Sequence, residues 1–283
     1  MKLSGKRCVI SGASRGLGAA IAGAMWAEGA SLLLLARSAS ALSDVAASLP
    51  RAAGQTVSCF PVDISAAASA RAVTEEAVRV MGGIDVLVNN AAVHGPVGEF
   101  RTSPAEEWER VLLVNFIAPT RLVRECLPLM GRGSKIIFLS GGGSTGPRPN
   151  FSAYGAAKTA IVRFAETLAE ELRSADIGAN CIAPGAMPTE LLKEVLSAGP
   201  AKAGQREYDL AVKAMAGGNA VIDKASRLAV YLASSESDGV TGKLISAVWD
   251  PWPFDSERKA DIVSSDIYTL RRIVPQERGK KWS

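Results

Sequence analysis

At 283 residues the chain is long enough for one large domain with a full core, and 48% apolar with 21% charged residues excludes a disordered or fibrous protein. A formal charge of +4 attracts an anionic ligand but is too small to argue for nucleic acid, and no stripe of Lys and Arg with interleaved aromatics occurs. No apolar run approaches the roughly 20 residues of a membrane span, and no signal peptide precedes the first strand-like run.

Short runs rich in Val, Ile and Leu alternate with longer Ala-rich stretches. Arg7–Ser11 (RCVIS) predicts a first strand and Leu17–Glu28 the helix behind it; Ser31–Ala36 (SLLLLA) predicts a second strand, followed by a short helix over Ser40–Leu49. A third strand, Thr56–Pro61, leads into a helix over Ala66–Met81, and Ile84–Val88 is a fourth strand. A helix around Pro104–Met130 precedes the fifth strand, Lys135–Leu139 (KIIFL); a long helix, Ala153–Arg173, precedes the sixth, Gly178–Ile182. Continuously apolar strands separated by helices are what a parallel sheet covered on both faces requires. The expected fold is therefore α/β, a doubly wound parallel sheet in one domain over residues 1–250, with ligands outside the carboxyl ends of the strands. Two irregular parts accompany it: a helical lid about 190–220 and an extension over 251–283.

Cys8, Cys59, Cys126 and Cys181 are scattered, without a CxxC pair, and the chain has one His, so no zinc or other metal site is expected. Free, largely buried thiols suit a reducing cytoplasm.

The first strand-to-helix turn is Ser11-Gly12-Ala13-Ser14-Arg15-Gly16-Leu17-Gly18. Gly12 permits the sharp turn, Gly16 lets the backbone approach a pyrophosphate, and Gly18 lets the helix sit against the strand. The helix N-terminus then offers free N–H groups to phosphate. An acid at the end of the second strand, about 20 residues on, would favour NAD; here that place is Ala36-Arg37-Ser38. Arg15 and Arg37 are suited to charge-assisted bonds with a 2′-phosphate, so NADP(H) is expected and NAD(H) ranks second. Each Arg is equally readable as a solvated surface residue. Asp63, followed by Ile64, is placed to accept from an adenine amino group or to cap a helix.

Tyr154-Gly155-Ala156-Ala157-Lys158 puts a phenol and an ammonium on one face of a helix. A free phenol, with a pKa near 10, is a poor proton carrier at neutral pH, and a neighbouring ammonium favours the phenolate. By spacing alone a helical Tyr beside a surface Lys is the commoner reading.

Taken in order, SGASRGLG (Ser11–Gly18), Asn89-Asn90-Ala91-Ala92, Asn115, Tyr154-x-x-x-Lys158, and Asn180 to Pro184-Gly185 with Thr189 resemble the short-chain dehydrogenase/reductase family over roughly residues 4–248. The resemblance implies a Rossmann-like fold, a small alcohol/carbonyl substrate and a homo-oligomer. Tyr154 would be the general acid in reduction and the base in oxidation. Lys158 would lower its pKa and bind the nicotinamide ribose. Asn115 would hold a water in the proton relay. The turn residues Gly12 to Gly18, with Ser14 and Leu17, would hold phosphate; Asp63, Ile64, Asn90 and Ala91 would line the adenosine side. Pro184, Gly185 and Thr189 would position the nicotinamide.

One residue departs from the family pattern. The serine expected 13 residues before the tyrosine is Gly141, within Leu139-Ser140-Gly141-Gly142-Gly143-Ser144. Ser144, Ser140 or a backbone amide are the candidates for its part, and a protein without it could be a dinucleotide-binding sensor or assembly protein instead. His94, on the loop after the fourth strand, is either a packing residue or a substrate contact. The extension begins Asp250-Pro251-Trp252-Pro253-Phe254 and is expected to pack on its own domain, on a neighbouring subunit, or as a helix along the sheet edge.

Overall fold

A computed structural model describes residues 1–281; the final two positions of the 251–283 extension lie outside the described residues. Seven strands form one parallel sheet in the order β3-β2-β1-β4-β5-β6-β7. They are β1 (Arg7–Ser11), β2 (Ser31–Ala36), β3 (Val57–Pro61), β4 (Val86–Asn89), β5 (Lys135–Leu139), β6 (Gly178–Ala183) and β7 (Leu244–Ser246). The helices are α1 (Gly16–Ala27), α2 (Ala39–Ser48), α3 (Ser69–Met81), α4 (Ala105–Leu112), α5 (Ala118–Cys126), α6 (Ser152–Glu171), α7 (Glu190–Ala203), α8 (Gln205–Ala216), α9 (Ala220–Ala233) and α10 (Ser256–Ser264).

Burial on both faces explains why the central strands are apolar along most of their length. Leu32 and Leu34 of β2 join Cys8 and Ile10 of β1 in the core under α1 and α9. The alternate residues, Leu33, Leu35 and Val9, face α3, α5 and α6 on the other side. This period-two division of an unbroken apolar run is what a two-sided core demands. Strand order reverses between β1 and β4, and a cleft of 1490 Å³ opens there, outside the carboxyl ends of the strands.

The single helix expected over Pro104–Met130 is broken. Its middle widens into a π turn over Leu113–Ile117, with Asn115 at the centre, and a 3₁₀ turn follows α5 at Leu127–Leu129. The region expected to form a lid, about 190–220, folds as α7, kinked at Gly199-Pro200, and α8.

The extension covers the β7 edge. Leu244 N–H donates to the Tyr268 carbonyl at 2.8 Å and Lys243 Nζ to the Ser265 carbonyl at 2.7 Å. Tyr231 of α9 stacks on Trp252, and Phe254 stacks on Tyr268. The segment that meets the edge is a turn rather than a helix, with Tyr268 at φ +63°, and its carbonyl satisfies one free N–H of the edge strand. The helix of this region, α10, lies upstream and buries Ile262.

Candidate active site

The cleft runs from the glycine turn to the lid and is lined at one end by Gly12, Arg15, Arg37 and Asp63, at the other by His94, Tyr154, Lys158 and Arg148. Gly12 has φ +67°, a conformation that strongly favours glycine. At Gly18 a β-carbon would lie 2.1 Å from the Gly12 carbonyl oxygen, so the turn closes on itself only because no side chain stands there. Asn90 Nδ2 donates to the Ser11 and Gly12 carbonyls, each at 3.1 Å. Ser11 Oγ accepts from the N–H groups of Asn90 and Ala91 at 3.0 and 3.1 Å. Asn90 therefore braces the turn as well as lining the cleft. The brace on Ser11 was not foreseen, since a serine at a strand end has no distinctive spacing.

Ser14, Leu17, Ile64 and Ala91 line the same cavity. Arg15 and Arg37 are exposed at its rim. Asp63 Oδ1 accepts from Ser65 N–H and Ser65 Oγ at 2.9 and 2.7 Å. Those bonds, with the charges of Arg37 and Arg110, hold its carboxyl below the usual range. Asp63 therefore caps no helix, since α3 begins at Ser69 with Ala68 at its N-cap; its bonds close a turn at 63–65 instead. Across the cleft, Pro184, Gly185 and Thr189 lie at the end of β6 and the start of α7. The Thr189 methyl would be 3.4 Å from a β-carbon on Gly16.

At the catalytic end, Tyr154 (9% exposed) and Lys158 (3% exposed) lie in the buried first half of α6. Lys158 Nζ donates to the Leu139 carbonyl at 2.7 Å and stands 5.6 Å from the centre of the Tyr154 ring. Burial lowers the Lys158 ammonium to about 8. Burial also pushes the Tyr154 phenol up to about 12, opposed by the charge of Arg148. The expected lowering of the phenol by Lys158 is not seen in the protein alone: loss of water costs the phenolate more than the charge of Arg148 returns. Asn115 spends its side-chain amide on Val93, accepting from its N–H at 2.9 Å and donating to its carbonyl at 2.8 Å.

Gly141 is filled by the tyrosine: a β-carbon there would lie 2.5 Å from Tyr154 Oη. At Gly143, with φ +93°, a β-carbon would lie 3.0 Å from the Gly155 backbone and 3.3 Å from Arg148, whereas at Gly142 it would only touch Arg148 at 3.5 Å. Gly141 thus makes room for Tyr154, and Gly143 for the start of α6 and the base of Arg148. Ser140 Oγ is buried without a hydrogen-bond partner, and Ser144 is buried beside the cleft with its N–H donating to the Gly141 carbonyl at 3.3 Å. Arg148 lies 3.8 Å over the Phe151 ring and pairs with Glu207 of the lid at 2.8 Å. Sequence reading passed over Arg148; its place between Pro147 and Pro149 in a rigid loop was the available signal. His94 (3% exposed) stacks on Tyr154, and burial, with help from Arg148, pushes its imidazole down to about 4. Trp249, 84% exposed, stands at the rim of the cleft.

Among the described residues there is no group of His, Cys, Asp or Glu that could hold a metal ion, and no helix long and apolar enough to cross a membrane. A dinucleotide fits the other end: the cradle at Gly12 and Gly18 excludes side chains, and free cations rim it.

Comparison with known proteins agrees. The short chain dehydrogenase family matches residues 6–199. Nodulation protein G of Rhizobium sp. (strain N33) is 34% identical over 247 residues, covering 86% of this chain and 96% of that protein. The 2,3-dihydro-2,3-dihydroxybenzoate dehydrogenase of Bacillus subtilis (strain 168) is 33% identical over 191 residues, covering 67% of this chain and 72% of its own. Among solved structures, NAD+-bound xylitol dehydrogenase superposes with a TM-score of 0.77 at 25% identity, covering 87% of this chain and 98% of that one. A blue fluorescent protein from a metagenomic library, in complex with NADPH, gives 0.72 at 26% identity, covering 87% and 97%. With that match, a doubly wound sheet and a buried Tyr154-Lys158 pair facing a glycine turn, the chain belongs to the short-chain dehydrogenase/reductase family and is an NAD(P)-dependent oxidoreductase.

Proposed function

We propose that the protein prefers NADP(H) and moves a hydride between nicotinamide and a small alcohol/carbonyl pair, with Tyr154 as proton carrier. The observation that carries this is the burial of Tyr154 and Lys158, one helical turn apart, in the same cleft as the glycine turn. Bound there, the nicotinamide supplies the hydride and, when oxidised, a positive charge that favours the phenolate. Gly12, Ser14, Arg15, Gly16, Leu17 and Gly18 hold the phosphates; Asp63, Ile64, Asn90 and Ala91 line the adenosine side; Pro184, Gly185 and Thr189 orient the ring. Lys158 binds the ribose and keeps positive charge beside Tyr154. A relay water rests on the backbone near Asn115, since its side chain is committed to Val93. The two arginines at the rim, with no acid after β2, support the phosphate-bearing cofactor.

NADPH and NADH oxidation against ketones, keto sugars and quinones tests the reading. Preference for NADPH should invert in Arg37→Asp: kcat/KM with NADPH falls about 100-fold, as the loss of a charge-assisted contact and gain of a repulsion predict. Equal use of both cofactors by the parent protein would overturn the preference. Gly18→Ala is expected to weaken NADPH about 10- to 100-fold, because its methyl must displace backbone or the Asn90 amide. Fluorescence titration of NADPH checks it.

Gly141 favours a second reading, a weakly catalytic dinucleotide sensor or assembly protein. Cofactor binding without turnover on any of the panel would select it. The remaining parts of the proposal are a catalytic domain over residues 1–250, an extension from 251, residence in the cytoplasm and assembly into a homo-oligomer. Four free cysteines, three of them buried, support the reducing compartment. The apolar side chains of Val263, Ile267 and Ile273, exposed on the extension, support assembly.

A further inference from the structure

The family's serine is absent, and its place cannot take a side chain without moving Tyr154, since a β-carbon on Gly141 would lie 2.5 Å from the phenol oxygen. A carbonyl being reduced gains from a second hydrogen-bond donor at the oxygen that receives the proton. We propose that His94 is that donor: its neutral imidazole gives a hydrogen bond from Nε2 to the substrate oxygen that Tyr154 protonates. This rests on the reductase reading above. His94 keeps its own proton throughout; the proton gained by the substrate oxygen comes from Tyr154 Oη, and the electron pair comes from the hydride donor.

Four features of the structure place the ring for this task. His94 is buried in the wall of the cleft, with its ring centre 5.0 Å from that of Tyr154 and the planes inclined by only 22°. Phe151 meets it edge-on, also at 5.0 Å, so neighbours confine it on two sides. Its backbone is equally fixed. Asn115 clamps the preceding Val93 through both N–H and carbonyl, and at Gly95, with φ +77°, a β-carbon would lie 2.1 Å from a Val111 methyl.

The fourth feature is the state of the ring nitrogens. Nδ1 is enclosed without a well-formed hydrogen bond, the Gly95 backbone lying close to the ring, and Nε2 is the nitrogen left to meet a ligand. A phenyl ring would fill the same space without burying an unpaired nitrogen, so packing alone does not account for histidine here. The alternative hydroxyls are less well placed on the same criteria. Ser140 Oγ is enclosed and unpartnered at the end of β5, and Ser144 belongs to the loop that yields space to Arg148.

Because His94 is the chain's one histidine, a long-range 1H–15N spectrum of histidine-labelled protein reports it alone. The neutral Nε2–H tautomer is expected between pH 6 and 8. An Nδ1–H tautomer would put the proton on the sealed nitrogen and overturn the proposal. The kinetic arm uses NADPH with diacetyl and 9,10-phenanthrenequinone as probes. His94→Phe, which keeps the stack on Tyr154, should lower kcat/KM about 10²- to 10³-fold, mostly in kcat, with NADPH affinity unchanged. His94→Gln, which restores an N–H at similar reach, should recover about tenfold of that loss. Wild-type rates in His94→Phe, or a larger loss in Ser144→Ala than in His94→Phe, would overturn it. A wild-type protein inert to both probes counts against the reductase reading, and the tautomer measurement then still decides the role of His94.

Discussion

Tyr154→Phe is expected to lose about 10³-fold in kcat/KM while binding NADPH as tightly as the parent protein. The phenyl ring occupies the same buried site, so the stack on His94, the edge of Phe151 and the space over Gly141 are all retained. Only the exchangeable proton is removed. The phenol is an unusually weak acid in the protein alone, held up at about 12 by burial, and its activity therefore depends on positive charge brought close to it. Arg148 supplies part of that charge and Lys158 stands 5.6 Å from the ring centre; an oxidised nicotinamide held in the cleft would add to it. Stopped-flow NADPH consumption and a fluorescence titration on the same sample separate chemistry from binding. Full turnover in the variant would remove Tyr154 from the reaction and with it the central assignment.

Lys158→Met is expected to have the opposite effects on activity and on stability. Activity falls about 10²-fold or more, because the cation that supports the phenolate and the ribose contact are both lost. Stability of the cofactor-free protein at pH 7 rises, because a buried ammonium is removed. The folded chain holds Lys158 near 8, against 10.5 for a free lysine. Between those values the unfolded chain binds a proton that the folded chain does not, so this group makes wild-type stability increase with pH across that window. Below pH 8 the penalty is present in full, about 3 kcal/mol; above 10.5 both states are neutral and it is gone. Against it stands the Leu139 carbonyl, which accepts from Lys158 at 2.7 Å and loses its partner in the variant, at about 1–3 kcal/mol. The variant's gain should therefore be about 1 kcal/mol at pH 7 and turn into a loss by pH 10.5. Urea melts at the two pH values check it; a variant less stable than wild type at both would show that the ammonium is better solvated than its burial implies.

Arg148 links the Tyr154 end of the cleft to α8, part of the segment proposed as a lid. Arg148 sits on Phe151, within 5.9 Å of the Tyr154 ring centre, and its partner Glu207 belongs to α8. Movement of α8 would therefore alter the charge near both Tyr154 and His94, giving lid position a direct electrostatic effect on the proton carrier.

Much of this protein was decided locally. Runs such as Leu32–Ala36 and Ile136–Leu139 are apolar at every position, which suits a strand buried on both faces, and their alternation with helices leads to the parallel sheet. The glycine turn was legible because Gly12 and Gly18 serve a conformation and a close approach that other residues cannot supply. Tyr154 and Lys158 were legible because their spacing is a helical turn, a local relation. Neighbourhoods built from distant segments were not legible. The π turn at Asn115 depends on Val93, 22 positions away, and the use of Gly141 depends on a ring 13 residues along. Arg148 gains meaning only when Glu207 arrives from the lid, and His94 only when Tyr154 and Phe151 close around it. Burial itself, which moved the phenol up rather than down, is a sum over the whole packed chain. Residue type and spacing determined the fold class of this protein and pointed to the glycine turn and the Tyr154-Lys158 pair. Long-range packing alone decided which polar groups lost water, and so which charges the site can sustain.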